Sequence, residues 1–550
     1  MGTFQHTPPF GGAFSRRFTR YTGIYFDEFQ TTSAWIKETA VLYLPPMIDT
    51  VCVVLKGEFL PHPKVKGPER GFPSMEVLVD GVATGQLVSP APGPWELKLQ
   101  LDPVHARKGS IITLRLQGTD FTNAMAWLGR VTHFGPIQRY RQQNRNRQLR
   151  LSAIESESGE KIYDFSMRES PFSTEFARKH TRTGLNIVGF LTADLGIGES
   201  ARRMVRAADA AGIPTSLIQL KLNCRNRLGD LTFKRRLQED NPQGANVFHI
   251  DPPVSRDIDH HHGQAFMKNR YNIGYFAWEL PEFPDSWTSA FDYYDEIWCP
   301  SNFVTHAVSL KSPVPVVTMP HSVSFDRPTE STEELRTRFG LPKDKFLFLC
   351  LFDLNSYTER KNPRGVIEAF RRSGLASRGA SLVVKVHNAD LNPADFAALK
   401  DAVSDIPGTV IISSTLSRED VYGLEAACDC FVSLHRSEGF GFAIAECMYL
   451  GKPVIATDWS ATAEYLDRQN GFPVRCALVK LTENHGPYTK GSQWAEPDIG
   501  HAAELMSKAM TDKELSAWLG AAARRTIEER FSPAVIGARY QRRLEAIAGI

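Results

Sequence analysis

Ser433-Leu-His-Arg-Ser-Glu-Gly-Phe-Gly-Phe-Ala-Ile-Ala-Glu-Cys-Met-Tyr-Leu-Gly-Lys-Pro-Val-Ile-Ala-Thr457 places two carboxylates, Glu438 and Glu446, eight positions apart. The apolar run 430–434 reads as a buried strand, Gly439 and Gly441 interrupt it, and residues 442–450 have helical spacing up to a stop at Gly451. Strand, glycine loop and helix follow one another directly. Glycine lacks a β-carbon, so the backbone N–H groups of Gly439, Phe440, Gly441 and Phe442 are open to close approach, and the helix N-terminus adds partial positive charge. Both favour an anion such as phosphate. Glu446, about a turn into the helix, reaches back toward the loop, and its carboxylate suits two neighbouring hydroxyls such as those of a ribose. Glu438, ahead of the glycines, suits the hydroxyls of a sugar beyond the phosphates. The plainer alternative is an ordinary strand-to-helix turn with solvated glutamates.

The segment resembles the E-x7-E signature of retaining glycosyltransferases of family four, and the resemblance extends over about residues 184–547. It implies the GT-B fold, two Rossmann-like domains with parallel sheets and the donor in the cleft between them. The implied reaction moves a sugar from a nucleotide diphosphate sugar to an acceptor hydroxyl with retention, in polysaccharide or glycoconjugate assembly. The donor is a substrate, so no cofactor is expected, and no metal. The implied acceptor is a saccharide or lipid-linked saccharide. In the family, an Arg and a Lys five positions later hold the donor diphosphate. Here Lys361, in Lys-Asn-Pro363, matches the Lys, but the position five before it is Ser356; the adjacent Arg360 is the substitute. Through such groups the leaving diphosphate is stabilised and helps deprotonate the acceptor.

The surrounding pattern fits this layout. From residue 346 strands and helices alternate: strands 346–352, 381–386, 409–412 and 453–456, with helices 363–372, 393–402 and 418–427. Residues 184–319 show the same alternation, beginning with strand 185–191 and a helix opened by Gly196 and Gly198. Alone that glycine pair is a weak signal; by resemblance it faces the donor phosphate and the acceptor. Strand 272–277 runs into Trp278 and Glu279. Glu279 is a candidate acceptor ligand or base, and Trp278 a candidate sugar platform; the alternative is that the aromatics close the core and Glu279 caps a helix. His249 and His321 also lie at strand ends, either facing the sugar or hydrogen-bonded in the structure. His260-His-His262 lacks a second ligand cluster, which argues against a metal.

Residues 20–134 carry short strand-like runs, with a hairpin turn at Val79-Asp-Gly-Val82. This predicts an all-β sandwich-like domain before the α/β part, serving either to bind carbohydrate or to hold structure. The run Arg139, Arg141, Arg145, Arg147, Arg150 reads as a linker or solvated face, the alternative being contact with phosphate or an anionic membrane surface. The expected domains are a β-sandwich-like accessory domain at 1–138, a linker at 139–183, Rossmann-like domains at 184–325 and 326–530, and a helix at 531–550 returning to the first of these.

With 550 residues, 64 basic and 62 acidic side chains and a formal net charge of +2, the chain has no basic excess for nucleic acid. The eight cysteines are scattered, and Cys428 and Cys430 have neither zinc nor CxxC spacing, so free thiols in a reducing cytoplasm are expected. No signal peptide and no run of eighteen apolar residues is seen, which leaves a cytoplasmic protein, at most peripheral at the inner face of a membrane. Two other classes stay open on the residues. One is a non-catalytic glycan-binding or assembly protein on a decayed GT-B scaffold, which Glu438, Glu446 and Lys361 argue against and the missing Arg keeps open; the other is a nicotinamide-dependent oxidoreductase, which the incomplete glycine fingerprint disfavours.

Overall fold

The computed structural model describes residues 21–25, 34–45, 47, 51–59, 74–88, 93–117, 149–167, 171–173, 176 and, apart from 223, 225, 264 and 269, residues 182–548. The first part is a nine-stranded antiparallel sheet. Its order is Val82–Val88, Ser74–Val79, Ile111–Gln117, Ala34–Tyr43, Leu149–Ser156, Cys52–Phe59, Gly93–Gln100, with Tyr21–Tyr25 added on Ala34–Tyr43 and Lys161–Asp164 on Leu149–Ser156. Between Ser74–Val79 and Val82–Val88, Asp80 and Gly81 have φ of 52° and 85°, the two positive values that a two-residue I′ turn requires.

The expected β-rich domain is a single hydrogen-bonded antiparallel sheet folded on itself, because Ala34–Tyr43 pairs with Ile111–Gln117 along one stretch and with Leu149–Ser156 along another. Val53 and Leu55 from one flank meet Val77 and Leu114 from the other in a single core. One expectation changes here, the linker assigned to 139–183. Leu149–Ser156 lies between two strands of the sheet, and alternation in Leu149-Arg-Leu-Ser-Ala-Ile buries its apolar side chains. Arg150, counted with the basic run, is 9% exposed and 3.9 Å from Glu58. Arg139, Arg141, Arg145 and Arg147 lie outside the described residues.

The remaining chain forms two six-stranded parallel sheets flanked by helices, the GT-B architecture. The first sheet runs Thr215–Gln219, Arg182–Gly189, Gln243–His249, Tyr271–Tyr275, Glu296–Cys299, Val316–Thr318. Its register is pinned by a buried amide ladder: Asn186 donates to Asn246 at 2.9 Å, and Asn246 to Asn272 at 2.8 Å. The second runs Val410–Ile412, Ala380–His387, Phe346–Asp353, Cys430–Ser433, Val454–Thr457, Phe472–Val474. In chain order this is third, second, first, fourth, fifth, sixth. The direction reverses between Phe346–Asp353 and Cys430–Ser433, and ligands of such sheets bind at that switch point, beyond the carboxyl ends of the strands. The loops carrying Lys361 and Glu438 leave from those two strands.

The last helix, Pro533–Ala548, packs on Gly196–Ala210 of the first Rossmann-like half, with Trp298 stacked on Tyr540 at 5.4 Å and Arg543 Nε 2.9 Å from the fully buried Glu296. Gly537 permits the approach, since a β-carbon there would sit 2.1 Å from the Ala207 carbonyl oxygen. Alanine in a helix ordinarily gains up to about 1 kcal/mol over glycine. At this contact the helices must separate, so Gly537→Ala is expected to destabilise by about 1 to 3 kcal/mol, read as a lower urea midpoint at unchanged m. All eight cysteines are free. Among the described residues no helix is long and apolar enough to cross a membrane.

Candidate active site

Between the two Rossmann-like halves lies a cavity of about 1580 Å³, walled by strand ends and helix starts of both. On the second-half side, Arg360 and Lys361 sit on the short helix Thr358–Lys361, fixed at both ends. Tyr357 and Asn362 have positive φ, and the Asn362 side chain accepts from Gly365 N at 3.1 Å and donates to the Leu434 carbonyl at 2.9 Å. The Lys361 ammonium is 2.6 Å from Glu438 Oε1, and Arg360 Nη1 is 3.3 Å from Glu438 Oε2. Burial pushes the Glu438 pKa up, but Lys361, Arg360 and His435 outweigh it and hold the carboxyl at about 2. The glutamate is therefore ionised at neutral pH and neutralised by cations that also face the cavity.

The two cations differ in reach. The Lys361 side chain is 23% exposed and Arg360's 5%. Arg360 spends its donors on the Ser437 carbonyl at 2.9 Å and the Ser356 carbonyl at 3.3 Å, and sits 3.9 Å from Glu279. Ser356 thus gives the loop a backbone acceptor and no charge. Lys361 is the cation more open to a ligand.

The glycine loop is clamped to the first half. Ser301 donates to the Gly439 carbonyl at 2.8 Å, Ser437 donates to the Glu279 carbonyl, and Glu464 accepts from Asn302 N at 3.0 Å and Phe303 N at 2.7 Å. Gly441 has φ of 87°, and a β-carbon on Gly439 would lie 2.9 Å from the Trp278 carbonyl oxygen. Gly439, Phe440, Gly441 and Phe442 all line the cavity. Phe440 and Phe442 also pack on His321, with ring centroids 5.0 and 4.7 Å away.

Glu446 is placed differently from the expected ribose ligand. It is 2% exposed, and its Oε1 accepts from both Arg203, on the first-half helix Gly196–Ala210, and Arg418, the first residue of Arg418–Ala427. Arg418 and not Glu446 forms the cavity wall there. Arg203 also bonds Glu199 at 2.9 Å and the Ser322 carbonyl at 3.0 Å. Burial opposes ionisation of Glu199, but Arg418, Arg203, Arg202 and Arg206 hold it below the usual carboxylate range. Glu425, buried beside Glu446, is pushed well above that range.

The first-half candidates divide. Gly196 lines the cavity, and a β-carbon there would meet nothing. Gly198 is set back: its β-carbon would lie 2.6 Å from the Phe190 carbonyl oxygen, so it serves packing of helix on strand. Glu279 faces the cavity with Oε2 taken by the Tyr488 hydroxyl at 2.9 Å. Trp278 also borders the cavity but is 2% exposed; it donates to the Glu282 carbonyl at 2.8 Å and packs among Phe283, Trp287 and Tyr488, as in the core-closing alternative. His249 is fully buried against Ser200, at 2.8 Å, while His321 reaches the cavity. Among the described residues no cluster of three or more His, Cys, Asp or Glu side chains forms a metal cage.

Sequence reasoning missed Arg203, Arg418 and His435 as site residues. Arg203 and Arg418 are ordinary helix arginines in the sequence. His435 bonds Thr462 at 3.0 Å and Ser433 at 3.1 Å, a contact its place at a strand end hinted at. Tyr488 lies in the loop joining the hairpin strands Cys476–Lys480 and Gln493–Pro497; in the sequence Gly486-Pro-Tyr reads as an aromatic loop shaping either the donor pocket or the domain hinge, and here Pro487 and Tyr488 line the cavity.

Three neutral histidines make this region acid-sensitive. Burial lowers His249 to about 3 and His435 to about 4, and it also lowers His321. In the unfolded chain they bind protons as pH falls through about 6.5, whereas the folded state refuses them. The stability they contribute is present above about pH 6.5 and lost toward the folded values, by about 1.4 kcal/mol per histidine per pH unit. Urea midpoints are expected to fall steadily between about pH 7 and 5, with a shallower slope in His435→Gln.

Residues 331–526 match the family model described as Glycosyl transferases group 1. Human alpha-1,3/1,6-mannosyltransferase ALG2 is 27% identical over 205 residues, a match covering 35% of this chain and 44% of that protein. The chain thus aligns with less than half the length of this curated relative. Among solved structures, a glycosyltransferase from Rickettsia africae ESF-5 superposes with a TM-score of 0.49 at 16% identity, covering 67% of this chain and 98% of the other. Anabaena Alr3699/HepE in complex with UDP and glucose gives 0.48 at 13%, covering 66% and 100%.

Proposed function

We propose that this protein is a retaining glycosyltransferase of the family-four type, transferring a hexosyl group from a nucleotide diphosphate sugar to an acceptor hydroxyl. The reading rests on one observation above the others: Lys361, Arg360 and Glu438 converge at the second-half switch point, on the wall of a cavity whose other wall is the first half. The group 1 match over residues 331–526 covers this arrangement and supports it.

Lys361 takes the diphosphate of the donor, joined by the backbone of the glycine loop at the N-terminus of Phe442–Tyr449. Charge develops on the diphosphate as the glycosidic bond breaks, and groups fixed beforehand stabilise it without reorganisation. Glu438 orients Lys361 and lies beside the sugar. Glu279, with one oxygen held by Tyr488, borders the acceptor. A ribose contact at Glu446 requires Arg418 to swing aside. No metal takes part, and the acceptor is a saccharide or lipid-linked saccharide of polysaccharide or glycoconjugate assembly. The protein works in the cytoplasm, with at most peripheral contact at the inner membrane face; the free cysteines suit that compartment.

The test is nucleotide release from UDP-, GDP- and dTDP-sugars in the presence of EDTA, a mannosyl donor first in view of the mannosyltransferase relative. Anomeric configuration of the product is followed by NMR. Release from one donor with a retained anomer is the expected result. Inversion would remove the retaining assignment, and no binding or turnover of any donor would remove the enzymatic one.

A further inference from the structure

One polar side chain of the cavity has no place in the reading above. The strand Ala380–His387 alternates apolar residues between two cores, Leu382, Val384 and Val386 toward one and Val383 toward the other. Lys385 interrupts the second row. It pairs in register with Leu351 and Ile412 on the neighbouring parallel strands, so the three side chains share a face. Leu351 and Ile412 pack with the helices Arg418–Ala427 and Phe442–Tyr449. Lys385 lies where that apolar row ends, on the wall that also holds Arg418 and Phe442, the first residues of those helices.

The ammonium is inside the protein and little used. Lys385 is 3% exposed, its Nζ donates to the Val386 carbonyl at 2.7 Å, and among the described residues no carboxylate forms an ion pair with it. Asp353, at the end of the adjacent strand, is bonded to Asn355 N at 2.9 Å and Asn388 Nδ2 at 2.8 Å instead. An uncompensated cation in an apolar row is unfavourable unless a ligand brings the missing charge.

Resting on the reading of this cavity as a nucleotide-sugar site, we infer that Lys385 is a further cation of that site, contacting the phosphate groups of a nucleoside diphosphate. It makes up for the charge that Ser356 lacks. The start of two helices on the same wall favours an anion at this point. Asp353 acts on it directly, and the charged groups lining the same cavity from the neighbouring elements are His387 on its own strand, Arg360 and Lys361 beyond the end of Phe346–Asp353, and Arg418 and Glu419 at the start of Arg418–Ala427. The Val410–Ile412 strand on its other side carries none.

Burial lowers Lys385 to about 8, with Asp353 opposing. An anion beside it raises that value again, so binding takes up a proton, and affinity is lost as pH rises through about 8. Calorimetric titration with UDP and GDP, in buffers of different ionisation enthalpy, reads both effects. From about pH 7 to 9 the wild type is expected to lose about tenfold in affinity, with proton uptake near one at the upper end. Lys385→Met is expected to bind about tenfold more weakly at about pH 7 and to show neither pH slope nor uptake. Lys385→Arg, which cannot deprotonate, retains affinity at about pH 9. A slope that survives in Lys385→Met, a slope lost in His387→Asn, or Lys385→Met binding within twofold of wild type would overturn the assignment. A wild type that binds no nucleoside diphosphate overturns the proposed function as well, which sets the two failures apart.

Discussion

Replacing Lys361 by alanine is expected to lower nucleotide release from the proposed sugar donor by about 100- to 1000-fold, mostly in kcat, in a protein that remains folded. Both halves of that expectation come from the geometry. The Lys361 side chain is 23% exposed and makes a single short contact, 2.6 Å to Glu438, so its removal leaves Glu438 paired with Arg360 at 3.3 Å and opens no large cavity. The lost charge is the cation more open to the cavity, where the proposed donor would place its leaving diphosphate. A ground-state contact alone would raise KM with kcat unchanged; a charge that matters as the bond breaks lowers kcat. Arg360→Ala should look different. Its guanidinium bonds two backbone carbonyls and is nearly enclosed, so its loss unsettles the loop and lowers the melting temperature along with activity. Steady-state nucleotide release and thermal melts of the two variants separate these cases. A Lys361→Ala enzyme within threefold of wild type would show that Lys361 serves only its ion pair with Glu438.

Which parts of this site were readable depends on how local their causes are. The strand, glycine loop and helix around Glu438 follow from an apolar run, two residues without β-carbons and a helical period, all within one short segment. Lys361 was legible only through the family resemblance, which expects a Lys in the loop after the first strand of this half. The environment of Glu446 was not, because both of its partners come from other helices, and one of them from the other half of the molecule. Trp278 illustrates the same limit: an aromatic at a strand end reads as a sugar platform, but the neighbours that bury it, Trp287 and Tyr488, lie nine residues on and in a distant hairpin. Residues 149–164 were mistaken for linker since the basic run before them dominates the composition, while strand membership depends on pairing with Cys52–Phe59, remote in sequence. Lys385 went unnoticed inside an otherwise apolar strand, where one charge looks like noise until its face is known.

The Arg203 environment leads to the second large effect, which falls on stability. Arg203 is 2% exposed and joins three parts of the protein: Glu199 on its own helix, the Ser322 carbonyl in the segment between the two halves, and Glu446 in the second half. A buried pair is a poor source of net stability, because desolvation cancels much of the attraction, but breaking one side leaves a charge without compensation. Arg203→Met keeps most of the volume and removes the cation, leaving Glu446 with Arg418 alone and Glu199 with Arg202 and the half-exposed Arg206. The expected loss is about 3 to 5 kcal/mol, measured by urea denaturation. Arg203→Lys should recover little, since a single ammonium cannot fork toward two carboxylates and a carbonyl. Arg203→Met combined with Glu446→Gln should be clearly milder than the sum of the single changes, because the second substitution removes the charge that the first strands. Additive losses would mean that the two side chains do not act as a pair, and that the halves are held together by the glycine-loop clamps and the returning C-terminal helix alone.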